Sequence, residues 1–315
     1  MSLETITLET VKRLFGISNE RLAEALGFFV YDTIKVLLLL FLMILFVGTL
    51  RTYLPTYKVK KYLTGKKEGV GNLFASLFGA VTPFCSCSSI PIFFSMIDAG
   101  VPLGVGFSFL ITSPLVNEYV AVLMISVFGL KITLYYILAG MFIGITGGII
   151  LGKMKLEKYL VKDFLKQDRI RKEKVYILFS ERIKFGLGEA SDVLKKTWLY
   201  AVIGIGVAAV IHGYVPDKFF SSLVNKGGIF AVPIATLIGV PLYASCASLI
   251  PIAAAFVGKG IPLGTALAFL MSTAALSLPE AVMLRRVMKL KLIMIFFGIV
   301  AVSIMIIGYL FNFIV

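Results

Sequence analysis

Charged residues are scarce in this chain. Only 15% of its 315 residues are Asp, Glu, Lys or Arg, whereas 59% are hydrophobic, and the mean hydropathy is +0.96. Soluble domains carry about 25% charged and roughly 45–50% apolar residues. The run at residues 36–50, extended back to Phe28, is long enough to cross a bilayer. The composition therefore predicts an integral membrane protein rather than a soluble domain.

Cysteine and histidine are also rare, with three and one in the chain. Cys85 and Cys87 are too close in sequence for an unstrained disulfide, so free thiols are expected. A zinc centre would need more closely placed Cys or His ligands than the chain offers. The sequence therefore predicts no metal site and no cofactor.

Other familiar motifs are missing too. No Gly-x-x-x-x-Gly-Lys-Ser/Thr motif is present, which speaks against ATP-driven pumping, and no enzymatic activity is predicted. The N-terminus lacks a short apolar stretch with a small-residue cleavage site, so no cleaved signal peptide is expected. The net charge of +14 is concentrated beside apolar runs. That placement favours contact with anionic lipid over nucleic-acid binding.

An internal repeat organises what is present. "AGVPLGVGFSFLITSP" at 99–114 is echoed by "KGIPLGTALAFLMSTA" at 259–274, and "SCSSIP" at 86–91 is echoed by "SCASLIP" at 245–251. Such self-similarity predicts two copies of one membrane unit. The predicted divisions are an N-terminal segment, a first repeat, a basic and partly amphipathic linker, and a second repeat, at 1–27, 28–152, 153–196 and 197–315.

Basic segments constrain the membrane topology. Residues 51–69 hold six Lys/Arg against one acidic residue, and the linker 153–196 holds thirteen Lys/Arg, so both are predicted to be cytoplasmic. Three apolar segments separate them: 70–98, 101–128 and 132–152. Three full crossings would place the two basic segments on opposite sides of the membrane. The proline-interrupted segment 70–98 is therefore expected to enter and leave on the same face.

The second repeat has the same conflict. Three segments (197–214, 229–258 and 261–284) separate the linker from the basic corner at 285–291. If 229–258 turns back, each repeat has three crossings and one re-entrant helical hairpin. The copies are then inverted, with both termini outside. The fold predicted is thus an all-α, multi-pass protein of the inner (plasma) membrane. Eight full crossings in parallel repeats are the alternative, and a homo-oligomer is left open.

Prolines mark where helices are predicted to break at membrane depth. Such backbone persists only when it is buried in protein or lines a watery cavity. The predicted interruptions are at Pro83, Pro91, Pro114, Pro241, Pro251 and Pro279.

Hydroxyl, thiol and amide side chains cluster at these interruptions. Such groups can replace the hydration shell of a small solute, and thiols add affinity for soft species. The predicted transport path comprises Cys85, Ser86, Cys87, Ser88, Ser89, Asn117, Ser245, Cys246 and Ser248. Close helix packing by small residues is the alternative explanation. Clustering in both repeats favours a functional site.

Two carboxylates follow the second interruption of each repeat. Ionisable groups inside a membrane are costly and usually functional. Glu118 and Glu280 are therefore candidates for proton or ion coupling. Either could instead cap a half-helix or lie at the membrane interface.

The motifs resemble a known family. "TPFCSCSSIPIF" at 82–93, "AGVPLG" at 99–104 and "SPLVNE" at 113–118 are similar to the DUF318 or UPF0718 family of predicted permeases. This family includes the ArsP-type organoarsenical efflux permeases. The resemblance implies an inner-membrane permease in which Cys85, Cys87 and Cys246 bind trivalent organoarsenicals.

The functional prediction is thus a secondary permease that exports a soft, thiophilic solute, such as a trivalent organoarsenical, by alternating access around the two interrupted segments. Transport of a small sulfur compound or an oxyanion is one alternative. A membrane thiol-redox protein is another, and the absence of a Cys-x-x-Cys pair weighs against it.

Overall fold

The structure is a computed structural model. It describes residues 69–82, 86–98, 100–160, 179–214, 228–242, 246–258, 260–285 and 287–314, and scattered positions between 26 and 49. These ranges are almost entirely helical and contain no β-strand, only one isolated bridge between Leu160 and Met288. The expectation of an all-α protein is therefore confirmed for the described residues.

The helices fall into a first half, residues 70–160, and a second half, residues 179–314. The first half contains α1 (Val70–Val81), α2 (Ser86–Asp98), α3 (Leu103–Leu115), α4 (Glu118–Lys153) and a 3-10 turn (Leu156–Tyr159). The second half contains α5 (Phe179–Tyr214), a 3-10 turn (Gly228–Phe230), α6 (Ala231–Gly239), α7 (Cys246–Gly258), α8 (Leu263–Ala275), α9 (Leu278–Leu284) and α10 (Leu290–Ile314).

Helix lengths separate spanning elements from short ones. The stretches Val120–Lys153, Leu263–Leu284 and Leu290–Ile314 are long and apolar enough to cross a membrane. By contrast, α1 has 12 residues and α2 has 13. At 1.5 Å per residue such helices reach about 20 Å, short of the roughly 30 Å hydrocarbon core. The chain is a multi-pass membrane protein that also contains half-length helices.

Helices α1 and α2 flank α3 in opposite directions. Asn72 at the start of α1 contacts the start of α3, and Gly79 near its end contacts Ser113, so α1 and α3 are parallel. The Phe93 ring of α2 lies 5.3 Å from the Phe107 ring of α3, and Ile97 lies against Gly106, so α2 runs back. The segment from α1 to α2 therefore starts and finishes beside the start of α3.

Glycines let α4 approach α3 closely and antiparallel to it. They recur every fourth residue along α4, at Gly140, Gly144, Gly148 and Gly152. A Cβ atom on Gly104 of α3 would lie 2.6 Å from the Gly148 carbonyl oxygen and 2.7 Å from the Gly152 Cα atom. Only residues without a side chain permit this distance, and it gives both backbones extensive van der Waals contact.

Buried hydrogen bonds join α1 to the same pair of helices. The Asn72 side-chain amide donates to the Gly104 carbonyl oxygen at 3.1 Å and to the Ser108 hydroxyl at 2.9 Å. The hydroxyls of Ser76 and Thr112 lie 2.7 Å apart. All four side chains are buried. In an apolar layer such bonds satisfy groups that would otherwise be costly to bury.

The second half follows the same plan with different chemistry. There Thr236 of α6 bonds to Val232 within its own helix, and Ser272 of α8 bonds to Phe269. The inter-helix polar bonds lie instead between Asn312 of α10 and Thr265 of α8. Thus α6 packs on α8 without a described side-chain hydrogen bond equivalent to that of Asn72.

Element boundaries recur at the offset found in the sequence. Helices α7 and α8 begin and end 160 residues after α2 and α3. Helix α4 is broken at Gly129, whose φ of 81° lies in the left-handed region that glycine tolerates. The matching position is Lys289, in the non-helical stretch before α10.

Helix α10 begins beside the end of α4. The 3-10 turn after α4 reaches the start of α10, where the Lys289 N–H donates to the Tyr159 carbonyl oxygen at 2.9 Å. Helix α10 packs on α4, and its Phe296 ring stacks 5.3 Å from Phe107 of α3. The first half has its corresponding break, Gly129, at the far end of α4. Helix α10 is therefore antiparallel to the segment of α4 after Gly129.

Helix α5 begins inside the predicted linker and packs against the N-terminal residues. Its 36 residues from Phe179 extend for about 54 Å, well beyond a hydrocarbon core of about 30 Å. Gly186 lies against Leu45 and Thr49, whereas Gly206 lies near Phe29. These contacts show an antiparallel pairing. Residues 161–178 and 51–68 lie outside the described residues, and the domain boundaries stay a prediction.

Adding a methyl group at Gly148 should destabilise the protein. Its Cβ atom would collide with Ser108 and lie 2.6 Å from the Gly104 carbonyl oxygen, and overpacking of this kind costs about 1–3 kcal/mol. Gly298→Ala is the matched control, because a Cβ at Gly298 in α10 meets no atom within 4 Å. Thermal unfolding in detergent should show a lower Tm for Gly148→Ala alone. Equal losses in both variants would contradict the close contact.

Candidate functional site

Helices that follow the breaks pack against helices of the other half. In the first half they follow Thr82 and span Val116–Asn117; in the second they follow Leu242 and span Leu276–Ser277. Helix α2 packs on α9, and α7 packs on α4. The helix that leaves the first break in each half therefore contacts the helix that leaves the second break in the other half.

The predicted thiol and hydroxyl residues lie at the start of α2 and α7. Ser86, Cys87 and Ser88 belong to the first turn of α2, and Cys246 and Ser248 to the first turn of α7. Of this cluster the structure describes only the side chain of Ser89, which is fully buried. Cys85 and Ser245 lie outside the described residues. The first turn of a helix has backbone N–H groups without helical partners, so both turns offer hydrogen-bond donors.

At two of the predicted prolines the helix does not break. Pro91 and Pro251 lie inside α2 and α7, at the sixth residue of each helix. Both helices continue past the proline, which has no N–H to donate to the carbonyl oxygen four residues earlier. The carbonyl oxygens four residues earlier, those of Cys87 and Ala247, lose their usual helical donor. Polar backbone is thus released within the first turn, beside the cysteines.

The other prolines border breaks. Pro114 is buried and next to last in α3, two residues before the break. Pro241 lies just after α6, separated from its last residue by the C-cap Val240. Pro279 is at the second position of α9. Backbone N–H groups in the first turn have no helical acceptor, so a proline there loses no hydrogen bond and starts the helix rather than interrupting it. Pro83 lies outside the described residues.

Asn117 has a capping role that the sequence argument did not assign. Its side-chain oxygen accepts a hydrogen bond from the Val120 N–H at 2.8 Å, and the residue is buried. It is therefore the N-cap of α4. The corresponding residue before α9 is Ser277, whose buried hydroxyl has no hydrogen-bond partner among the described residues.

The two predicted coupling carboxylates occupy different environments. Glu118 and Glu280 both lie in the first turn of a helix, where the helix dipole favours a negative charge. Glu118 is exposed, whereas Glu280 is 1% exposed because α5 covers α9. The two glutamates thus follow equivalent motifs but differ in solvent exposure.

Sequence reasoning missed the buried polar residues of α1 and α3. Asn72, Ser76, Ser108 and Thr112 carry the hydrogen bonds between these helices. Their four-residue spacing, 72/76 and 104/108/112 with Gly104, was the available signal, because it places small and polar groups along one helix face. No group of three or more His, Cys, Asp or Glu that could hold a metal is found in the described part of the chain.

Family comparison supports the transport class. The sequence model of the ArsP_1 family, described as predicted permease, matches residues 21–313. The chain belongs to this family. The match covers the ten helices described above, except for the last residue of α10, so the helix breaks belong to a permease family member. The predicted family resemblance is confirmed.

Named relatives agree with the family match. A Streptococcus mutans protein, provisionally named a two-component membrane permease complex subunit, is 27% identical over 90% of this chain and 94% of its own. UPF0718 protein MJ0584 of Methanocaldococcus jannaschii is 21% identical over 96% and 98%. UPF0718 protein YcgR of Bacillus subtilis is 22% identical over 76% and 81%. No solved structure shows significant similarity to the chain.

The capping difference predicts unequal effects of alanine at equivalent positions. Asn117→Ala should destabilise by about 1 kcal/mol, because it removes the acceptor for the Val120 N–H. Ser277→Ala should cost nothing, because it removes a buried hydroxyl with no described partner. Thermal unfolding of both variants in one detergent measures the contrast. If Ser277→Ala were the more damaging change, the capping assignment would be wrong.

Proposed function

We propose that the chain is a secondary permease whose two halves are inverted copies and whose solute path lies where α2 and α7 begin. The packing of α2 on α9 and of α7 on α4 carries this proposal, because the helix that follows the first break in each half contacts a helix of the other half. Broken helices at the interface of inverted repeats form the solute sites of several transporter folds. Rocking of one copy against the other would then give alternating access.

The contacts support three crossings and one hairpin in each copy. In the first copy these are the N-terminal helical residues, α3 continued by α4 up to Gly129, and the rest of α4, with α1 and α2 as the hairpin. In the second copy they are α5, α8 continued by α9, and α10, with α6 and α7 as the hairpin. Both hairpins are half-length, which fits segments that enter and return.

Charge supports the orientation. Exposed cationic residues gather at the end where α4 finishes and α10 begins: Lys153, Lys155, Lys158, Arg285, Lys289 and Lys291. The basic segment 51–69 leads into α1 at the same end. Because cytoplasmic loops are enriched in Lys and Arg, this end is assigned to the cytoplasm, with anionic lipid around the basic linker. Both chain termini are then outside.

Thiols define the preferred solute. Cys87 and Cys246 belong to the first turns of α2 and α7, and Cys85 directly precedes α2. Thiolate sulfur prefers soft partners, which include trivalent arsenic and exclude hard cations such as Mg²⁺. Three thiols from two copies would give a trivalent organoarsenical up to three sulfur ligands. Export of such a solute is therefore the proposed activity.

Glu280 is the stronger coupling candidate of the two carboxylates. Ionisable side chains buried in a membrane protein are usually functional, and Glu280 is 1% exposed. By contrast, Glu118 is exposed. Proton or ion movement through Glu280 would link solute export to an existing gradient.

An oxyanion or a small sulfur compound is the second candidate solute. The observation that favours it is the pair of helix N-termini, whose unbonded N–H groups and hydroxyls Ser86, Ser88 and Ser248 suit a negatively charged group. The Streptococcus mutans relative is named as part of a two-component complex. This chain would by analogy work with a second membrane component.

Inverted copies place equivalent lysines on opposite sides of the membrane. Lys131 and Lys291 follow the corresponding breaks, and both are exposed. In a chain without the three native cysteines, an impermeant maleimide should label Lys131→Cys in intact cells but Lys291→Cys only after permeabilisation. Labelling of both from the same side would instead establish eight crossings in parallel repeats.

Transport itself separates the two solute classes. Everted vesicles with the unchanged chain should accumulate a trivalent methylarsenical. Changing Cys85, Cys87 and Cys246 to Ser should reduce accumulation to the vesicle background, because no soft ligand remains. The matched variant changes Ser86, Ser88 and Ser248 to Ala and should retain uptake. If uptake were lost only in this second variant, the hydroxyls rather than the thiols would bind the solute, which would favour the oxyanion. If the unchanged chain took up no methylarsenical, the arsenical would be excluded as its solute.

A further inference from the structure

We propose that the joint between the two halves binds the phosphate headgroup of an anionic phospholipid. The joint is defined here as Lys158 and Tyr159 of the 3-10 turn after α4, and Lys289, Leu290 and Lys291 at the start of α10. The inference deepens the proposed function and rests on the membrane orientation given there.

Two ammonium groups from different halves converge on one aromatic ring. The Nζ atom of Lys158 lies 5.2 Å, and that of Lys291 5.4 Å, from the centroid of the Tyr159 ring. The two charges are therefore within about 11 Å of each other. Each is attracted to the ring, but the two repel one another. A shared anion would remove that repulsion.

The backbone fixes this arrangement. The Lys289 N–H donates to the Tyr159 carbonyl oxygen at 2.9 Å, and Leu160 forms an isolated bridge with Met288. Leu156 is buried on the same turn. The lysines thus extend from a preorganised junction, so a ligand would not have to order the backbone to bind.

No described carboxylate neutralises the joint. Among the residues that the structure describes, Lys158, Lys289 and Lys291 form no ion pair, and neither do Lys153, Lys155 and Arg285 nearby. Glu157 is exposed and joins none of them. A phosphodiester supplies one negative charge and oxygen acceptors for ammonium groups.

Position favours a lipid over free phosphate. The joint lies at the ends of two membrane-crossing helices, the height at which headgroups lie. Exposed apolar side chains stand beside the lysines, with Met154 at 47% and Leu290 at 55% exposure. They offer a surface for acyl chains that inorganic phosphate would not use.

The joint also connects moving parts of the proposed permease. The stretch from Arg285 to Lys289 links α9, which carries Glu280, to α10. A lipid bridging Lys158 and Lys291 would hold the two halves together at this end. Anionic lipid would therefore bias which side of the solute path is open.

Native mass spectrometry of the full chain in detergent tests the site. Delipidated protein would be titrated with phosphatidylglycerol or, separately, phosphatidylcholine. Lys291→Gln should weaken phosphatidylglycerol binding about fivefold, as expected for one lysine near a charged lipid. The matched control is Lys131→Gln, at the equivalent exposed lysine on the opposite side, which should leave binding unchanged. Lys158→Gln should match Lys291→Gln, and Lys291→Arg should retain binding.

Three results would overturn the proposal: equal weakening by Lys131→Gln and Lys291→Gln, equal binding of phosphatidylcholine, or displacement of the lipid by inorganic phosphate at the same concentration. Lys158→Gln keeps the test decisive if Lys291→Gln fails to fold. Because the titration is done in detergent, its outcome is independent of orientation. Failure of the inverted topology would appear instead in the maleimide labelling.

Discussion

The backbone contact between α3 and α4 is the constraint on which the rest of the structure depends. Gly104 can approach Gly148 and Gly152 only because none of the three has a side chain. In a bilayer there is little hydrophobic gain from bringing helices together, so close packing and hydrogen bonds must do it. The resulting pair holds Ser108 and Thr112 where Asn72 and Ser76 reach them, and that fixes α1 beside α3.

The half-length helices become tolerable only inside this arrangement. Backbone that leaves a helix at membrane depth must be covered or must line a polar cavity. Helix α3 lies between α1 and α2, and α9 and α4 cover the helices that leave the breaks of the opposite half. Each half thus packs against a helix that follows a break in the other half. The candidate solute path and the folded state depend on the same contacts.

Part of the fold was predicted from the sequence, and the wrong predictions have physical causes. The all-α class, the interruption within the segment 70–98 and the family followed from apolar runs, prolines and motifs. The breaks were assigned to Pro91 and Pro251, although a helix can continue past a proline that loses one bond. The different burial of Glu118 and Glu280 could not be predicted from the sequence, because it depends on α5 packing over α9 rather than on the motif.

The chemistry that joins α1 to α3 is not repeated between α6 and α8. Helix α1 is joined to α3 by hydrogen bonds between side chains, whereas the hydroxyl of Thr236 in α6 bonds within its own helix. The two halves also differ at the break before the last helix. In the second half several residues separate α9 from α10, whereas in the first half Gly129 alone breaks α4. Because Gly264 approaches Gly308 as Gly104 approaches Gly148, the two halves share their central helix contact and differ in how the preceding half-length helix is attached to it.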